Sequence, residues 1–166
     1  MAKVGILMGS DSDWPKIQEV VSPLDEFGVE YEIQVMSAHR TPELVRDYAK
    51  NAGSRGIQVI IAAAGGAAHL AGFCASHTTL PVIGIPVATD FCGGLDSLLS
   101  TVQMPGDVPV AAVGTGSGGA RNAGILAVQI LALADPVLQE KLTLFKSHLI
   151  EKVKNRNLRL QESLYR

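Results

Sequence analysis

Val4-Gly5-Ile6-Leu7-Met8-Gly9-Ser10-Asp11-Ser12-Asp13 decides the fold. Five residues without a charge are followed by a glycine and a run of serines and aspartates, the pattern of a buried parallel strand that turns into a helix. Trp14, Ile17, Val21 and Leu24 then recur at steps of three and four, one apolar helical face, and Gly28 after Phe27 predicts its stop. Pro23 removes a backbone donor near the end of that helix and predicts a kink or break there.

The same unit repeats outward from this stretch. Tyr31 to Val35 reads as a second strand, and Thr41 as N-cap with Pro42 at the first helical position starts a helix that runs to about Ala52. Gln58 to Ala63 is a third strand. Ala64-Gly65-Gly66-Ala67-Ala68 follows it as a turn of very small residues leading into a helix that carries His69. Val82 to Ile85 is a fourth strand, Leu95 to Val102 a short helix, and Val108 to Val113 a fifth strand. A loop from Gly114 to Gly119 then opens a long helix from Ala120 to Ala134. Five repeats of strand then helix, with continuously apolar strands, predict an α/β fold: a three-layer α/β/α sandwich around a parallel sheet of about five strands. Ligands of such sheets bind beyond the carboxyl ends of the strands, where the loops at Gly9 to Asp13, Ser37 to Thr41 and Ala64 to His69 all lie.

The helix from Ala120 carries Ile125, Leu126, Val128, Ile130, Leu131 and Leu133 and keeps almost no polar face, which predicts burial all round at a subunit interface. Past Pro136, the residues Leu138, Leu142, Phe145, Leu149 and Val153 make an apolar stripe on a final charged helix, about 136 to 161, that either caps its own domain or clasps a neighbour. No linker or low-complexity stretch interrupts the chain, so its 166 residues read as a single domain, 1–166, with a core of about 3–134.

Of these residues 47% are apolar and only 18% charged, which leaves apolar surface for other copies of the chain to cover. A net charge of -2 with no basic run predicts no nucleic-acid partner and no attraction to an anionic membrane. Cys74 and Cys92 lack metal or redox spacing and read as buried reduced thiols. With no apolar run of spanning length and a strand at the amino terminus, the expectation is a soluble cytoplasmic protein.

Chemistry concentrates in Ser37-Ala38-His39-Arg40-Thr41-Pro42. An imidazole can move a proton near neutral pH, and a guanidinium fork can hold a phosphate, so His39 and Arg40 together suggest proton transfer on a phosphorylated small molecule. A solvated loop with a surface ion pair is the plainer reading of the same two residues. Ser10, Ser12 and Asp13 offer hydroxyls and a carboxylate at a helix amino end, suited to a ribose phosphate, although N-capping alone accounts for one of them. His69 is equally compatible with a core histidine held by the backbone. His77 and His148 read as surface residues. Gly114 to Gly119 matches G-x-G-x-x-G but stands in the last strand–helix unit, and the next acidic residue, Asp135, ends a helix, so a dinucleotide site is not expected there.

Four segments together resemble the 5-(carboxyamino)imidazole ribonucleotide mutases of purine biosynthesis, the PurE family. They are Met8 to Trp14, Ser37 to Pro42, Gly65-Gly66-Ala67-Ala68-His69-Leu70, and Asp96-Ser97-Leu98-Leu99-Ser100 with Val102-Gln103-Met104-Pro105. The resemblance runs from about Val4 to Leu133 and implies a flavodoxin-like sandwich, assembly as a homo-octamer, and transfer of a carboxylate from the exocyclic nitrogen to ring carbon 4 of a phosphoribosyl-imidazole through a CO₂ intermediate. It implies no ATP, metal or organic cofactor. By the same resemblance His39 is the proton-transfer residue, with His69 catalytic or supporting near the carboxylate. Ser10, Asp13, Ser37 and Arg40 hold the ribose phosphate with help from Ser12, and Gly65, Gly66, Ala67 and Leu70 enclose the imidazole. Many members carry proline where this chain has Ala71, a change expected to loosen the loop that holds His69, and the Gly114 to Gly119 loop is richer in glycine than usual. The alternatives are the related carboxylase, which uses free CO₂ on aminoimidazole ribonucleotide, and a non-catalytic nucleotide-binding module on the same sheet.

Overall fold

A computed structural model describes residues 1–165. Its centre is a five-stranded, all-parallel sheet of β1 (Val4–Met8), β2 (Tyr31–Val35), β3 (Val59–Gly65), β4 (Val82–Val87) and β5 (Ala111–Ala112), in the order β2-β1-β3-β4-β5. This is the flavodoxin-like strand order. β1, β3 and β4 are almost wholly buried because helices cover both faces, which is why they read as unbroken apolar runs. Alternate side chains feed two cores. Val4, Ile6, Met8, Ile61 and Ile85 point to one, packed under α1 (Trp14–Ile17), α2 (Val21–Phe27), α6 (Gly116–Ala132) and the start of α7 (Pro136–Leu164). Leu7, Ile60, Ala62 and Val82 point to the other, under α3 (Pro42–Asn51) and α4 (Leu70–Ala75). α5 (Leu95–Val102) lies on that second face, where the Thr101 methyl occupies the space a side chain at Gly84 would need.

Several expectations need correction. Helix one does break, but before Pro23: Ile17 leaves helical geometry at φ -118°, a 3₁₀ turn spans Gln18–Val20, and α2 restarts at Val21. Pro23 therefore falls in a first turn, where an N–H has no helical partner to lose. Gly28 ends the segment in the left-handed region at φ 72°, as expected. The fifth strand shrinks from the expected Val108–Val113 to Ala111–Ala112, because Pro109 has no N–H for the ladder; Val113 N adds one bond to Gly84 O at 3.1 Å. α6 begins at Gly116 and not at Ala120, so most of the expected Gly114–Gly119 loop is helix. Its buried face is made of Gly119, Ala120, Ala123, Gly124, Ala127, Val128 and Leu131, while Ile125, Leu126 and Ile130 are half-buried and Asn122 and Gln129 exposed. Within one chain it is thus not buried all round.

α7 divides in two. Asp135 caps it, accepting from Val137 N at 3.1 Å and Leu138 N at 3.2 Å, and Leu138, Leu142 and Phe145 close the first core, with the Phe145 ring edge-on to Phe27. Leu149 and Val153 continue the predicted stripe into solvent. Cys74 is buried as expected and burial pushes its thiol up to about 12, but Cys92 is exposed in a loop where its φ of 46° is left-handed. His148 is exposed, whereas His77 is half-buried, stacked on Phe73 and bonded to the Phe73 carbonyl.

Gly124 is packed tightly on the first face: a Cβ there would run into the Val20 carbonyl and the Pro23 ring. Gly118, on the same helix, faces open space. Helix propensity favours alanine at both positions, yet overpacking costs about 1–3 kcal/mol. Gly118→Ala should therefore stabilise by roughly 0.4–1 kcal/mol, and Gly124→Ala should destabilise. Thermal melts followed by circular dichroism check the opposite signs, at roughly 2–4 °C of Tm per kcal/mol.

Candidate active site

The parallel sheet delivers the ends of β1, β2, β3 and β4 to one side of the molecule, and a cleft of about 520 Å³ opens there. It lies where the chain leaves β1 toward β2 on one side and reaches β3 on the other, the switch point of such sheets.

From β1, Gly9 and Ser10 enter the cleft floor. The Ser10 hydroxyl caps the short 3₁₀ turn Asp11–Asp13, accepting from Ser12 N at 3.3 Å, and lies 2.8 Å from the Ser12 hydroxyl. Capping and pocket lining are thus combined at Ser10. Ser12 is exposed and does not line the cleft; it touches the site only through Ser10. Asp13 does line it. Burial raises the Asp13 carboxyl above its usual value, and the charges of Lys16 and Arg40 pull it back.

From β2, Met36 N donates to Met8 O at 2.9 Å and so carries the β1–β2 pairing to the edge of the site. Ser37 then organises a compact turn. Its hydroxyl accepts from His39 N, Arg40 N and Arg40 Nε at 3.3–3.4 Å, and its carbonyl accepts from Thr41 N at 2.8 Å. Thr41 occupies the predicted cap position but makes no side-chain cap bond; its hydroxyl instead exchanges bonds with the Ser37 backbone, accepting from N at 2.9 Å and donating to O at 3.1 Å. Arg40 Nη2 donates to Gly9 O at 2.8 Å, which ties this turn to the β1 loop.

From β3, Gly65, Gly66 and Ala67 form the opposite wall, with Leu70 beneath them and itself buried. Gly66 adopts φ 63°, the left-handed conformation that favours glycine. Ala68 N donates to Gly66 O and His69 N to Ala67 O, both at 2.8 Å, two tight turns that swing His69 up to the rim. There His69 Nδ1 meets His39 Nε2 at 2.8 Å, the two rings nearly perpendicular at 88°. One shared hydrogen joins them, so one imidazole donates and the other accepts. His69 is exposed, which rules out the core-histidine reading, and His39 forms no ion pair among the described residues.

The sequence reading missed the fourth side. Lys16, Val87, Ala88 and Thr89 also line the cleft, and Lys16 Nζ donates to Ala88 O at 2.9 Å. Lys16 follows Asp13 by three residues, one helical turn, a spacing that could have signalled a second cation beside that carboxylate. Thr89 carried no motif at all. Among the described residues no three His, Cys, Asp or Glu side chains come together as a metal site. No helix there is long and apolar enough to cross a membrane. The arrangement offers hydroxyls and a guanidinium for an anion at one end, small residues against a flat ring at the other, and an imidazole pair between them.

Comparison with known proteins agrees with this construction. The solved structure of Treponema denticola PurE superposes with a TM-score of 0.85 at 30% identity, covering 95% of this chain and 97% of that one. N5-carboxyaminoimidazole ribonucleotide mutase from Thermotoga maritima is 52% identical over 166 residues, all of this chain and 96% of the relative. The protein of the same name from Aquifex aeolicus is 58% identical over 139 residues, 84% of this chain and 82% of the relative. A sequence model described as AIR carboxylase matches residues 3–152, taking in every strand and all four sides of the cleft, and the chain belongs to that family.

Proposed function

We propose that this protein is an isomerase of purine biosynthesis that converts 5-(carboxyamino)imidazole ribonucleotide to 4-carboxy-5-aminoimidazole ribonucleotide. The names carried by its relatives over the full length of the chain support this. The observation that carries it is the His39–His69 contact of 2.8 Å, set between the Ser10, Ser37 and Arg40 cluster and the glycine–alanine wall.

The chemistry follows from that placement. Arg40, Ser10 and Ser37 hold the phosphate, and Asp13 accepts from the ribose hydroxyls. His39 donates a proton to the exocyclic nitrogen as the carbon–nitrogen bond breaks, releasing CO₂ and leaving a neutral aminoimidazole. The electron-rich ring carbon 4 attacks the trapped CO₂ and forms the new carbon–carbon bond. His39 then removes the proton from that carbon and is ready for the next turnover. The two proton transfers cancel, so one group serves both steps. His69 holds the His39 ring in place through its Nδ1, and the small wall residues keep water from the CO₂. The reaction as written balances without ATP or a cofactor.

The alternative is the carboxylase reading, in which free CO₂ is attached to aminoimidazole ribonucleotide; the family description names that activity, but the mutase names of the relatives do not favour it. Incubation of purified protein with either isomer, without ATP or bicarbonate, separates the two. Equilibration of the isomers is expected, and dependence on added CO₂ would favour the carboxylase. His39→Asn should lower kcat by roughly 10²–10⁴-fold while nucleotide binding persists in a titration; normal turnover would end the assignment. Arg40→Ala should raise KM by roughly 10- to 100-fold, the loss of about 1.5–3 kcal/mol for bonds to a charged group, and an unchanged KM would remove its phosphate role.

We further propose a homo-octamer working in the cytoplasm. Supporting it are apolar side chains that one chain leaves uncovered on separate faces: Val35 at the β2 edge, Leu95, Leu99 and Val102 along α5, and Ile150 and Val153 on distal α7. Sedimentation should give eight times the 17.5 kDa chain mass, and a monomer would overturn the assembly.

A further inference from the structure

The Asp96-Ser97 pair lines no part of the cleft, yet it is bonded to both segments of the cleft's far wall. The Ser97 side chain is fully buried, and its hydroxyl accepts from Gly66 N at 2.8 Å. Its own position is fixed from behind, since the buried Thr101 donates through Oγ1 to Ser97 O at 2.7 Å. One residue earlier, Asp96 Oδ1 accepts from the Thr89 hydroxyl at 2.7 Å, and Thr89 belongs to the wall that continues β4. The first turn of α5 therefore clamps the exits of β3 and β4 together.

We propose that Asp96 and Ser97 are positioning residues, and that the Ser97 hydroxyl, by fixing Gly66, sets the fraction of CO₂ that is recaptured on carbon 4 instead of escaping. This rests on the isomerase reading above. Between cleavage of the carbon–nitrogen bond and formation of the carbon–carbon bond, no covalent bond holds the CO₂. Its retention depends on the wall alone. Gly66 is the hinge of that wall, because its carbonyl accepts from Ala68 N and the following turn carries His69 to His39. Without the Ser97 acceptor the Gly66 N–H loses its partner, and the turn is free to relax toward solvent. A wall moved by a fraction of an ångström opens a path for a small neutral molecule without touching the phosphate subsite, which is built on β1 and β2. The Asp96 bond serves the same end from the β4 side: the Thr89 hydroxyl beside it holds the Asp96 carboxyl below its usual value, so it stays an ionised acceptor.

The test starts the reaction from the 5-(carboxyamino) isomer in CO₂-free buffer. The ratio of 4-carboxy product to free aminoimidazole ribonucleotide is read by chromatography, corrected for decomposition in buffer alone. Wild type should give mainly the carboxylated product. Ser97→Ala should shift the ratio toward free aminoimidazole ribonucleotide and lower kcat by on the order of 10- to 100-fold with KM within about twofold, and Ser97→Thr, which keeps the hydroxyl, should restore the ratio. A role in stability alone would lower Tm and leave the ratio of the folded fraction at its wild-type value, and that result overturns the proposal. If Ser97→Ala fails to fold, Thr89→Val reads the other half of the clamp: the same leak is expected, and a wild-type ratio rejects the proposal. Failure of wild type to interconvert the isomers at all would instead bring down the isomerase reading, and this inference with it.

Discussion

β1 pairs with β2 on one side and β3 on the other, Met8 standing opposite both Val35 and Ala63, and the site depends on that double pairing. Because all three strands run in parallel, with β1 and β2 ending together and β3 two residues further on, the chain must turn away three times within about two strand spacings, roughly 10 Å. Gly9, Ser37 and Gly66 belong to those three turns. The bonds that cross between them are short: Met36 N to Met8 O, Arg40 Nη2 to Gly9 O, and His39 Nε2 with His69 Nδ1. A slip of one residue in β2 would turn its side chains over and carry Ser37 and the histidine away from Gly9.

The central strands were legible because burial on both faces leaves no periodicity to misread: Val4 to Met8 and Val59 to Ala63 carry no polar side chain, whereas the exposed edge strand β2 alternates polar and apolar residues. The turn residues were legible for a different reason, since serine, aspartate, glycine and proline act locally. What failed was decided by tertiary partners. The break from Ile17 falls in the turn before Pro23, whose ring excludes the carbonyl four residues back at Glu19, and its place is also set by α6, which packs against the Gln18–Val20 turn with Gly124 against the Val20 carbonyl. β5 was overextended because valines count as strand formers, although Pro109 removes a ladder donor between them. Of the candidate site, His39, Arg40, Ser10, Ser37 and Asp13 come together as expected. The His39–His69 contact spans 30 positions and was not readable as a contact; Lys16 and Thr89 reach the cleft from segments that carried no motif.

Charge in the cleft is arranged around Asp13. Its carboxyl is partly withdrawn from water, a condition that by itself favours the neutral acid, and Lys16 on one side and Arg40 on the other oppose that tendency. Each cation is also tethered to a backbone carbonyl, Lys16 to Ala88 and Arg40 to Gly9, so neither collapses onto the carboxylate in a closed ion pair. Anions entering the cleft thus find two cations already oriented. That preorganisation favours a phosphorylated ligand over a neutral one of the same shape.

Small residues serve two opposed ends in this chain. On α6, Gly119 and Gly124 remove side chains so that backbones can touch, and the result is rigid because atoms fill the space on both sides. On the cleft wall, Gly65, Gly66 and Ala67 keep side chains small beside the cleft, and a Cβ at Gly65 would reach only ordinary contact, 3.5 Å from Thr89 and Val87. Such a wall needs support from behind. Ala71, where the resemblance leads one to expect proline, sits in the first turn of α4, and its replacement leaves the His69–Phe73 backbone bond of 2.9 Å in place. The alanine therefore gives up only the entropic stiffness of a proline ring, about 0.4–1 kcal/mol acting through the unfolded chain. Gly66 is held instead at the other end of the turn by the buried Ser97 hydroxyl. The wall is thus bonded to α5 at a position that the missing proline does not touch.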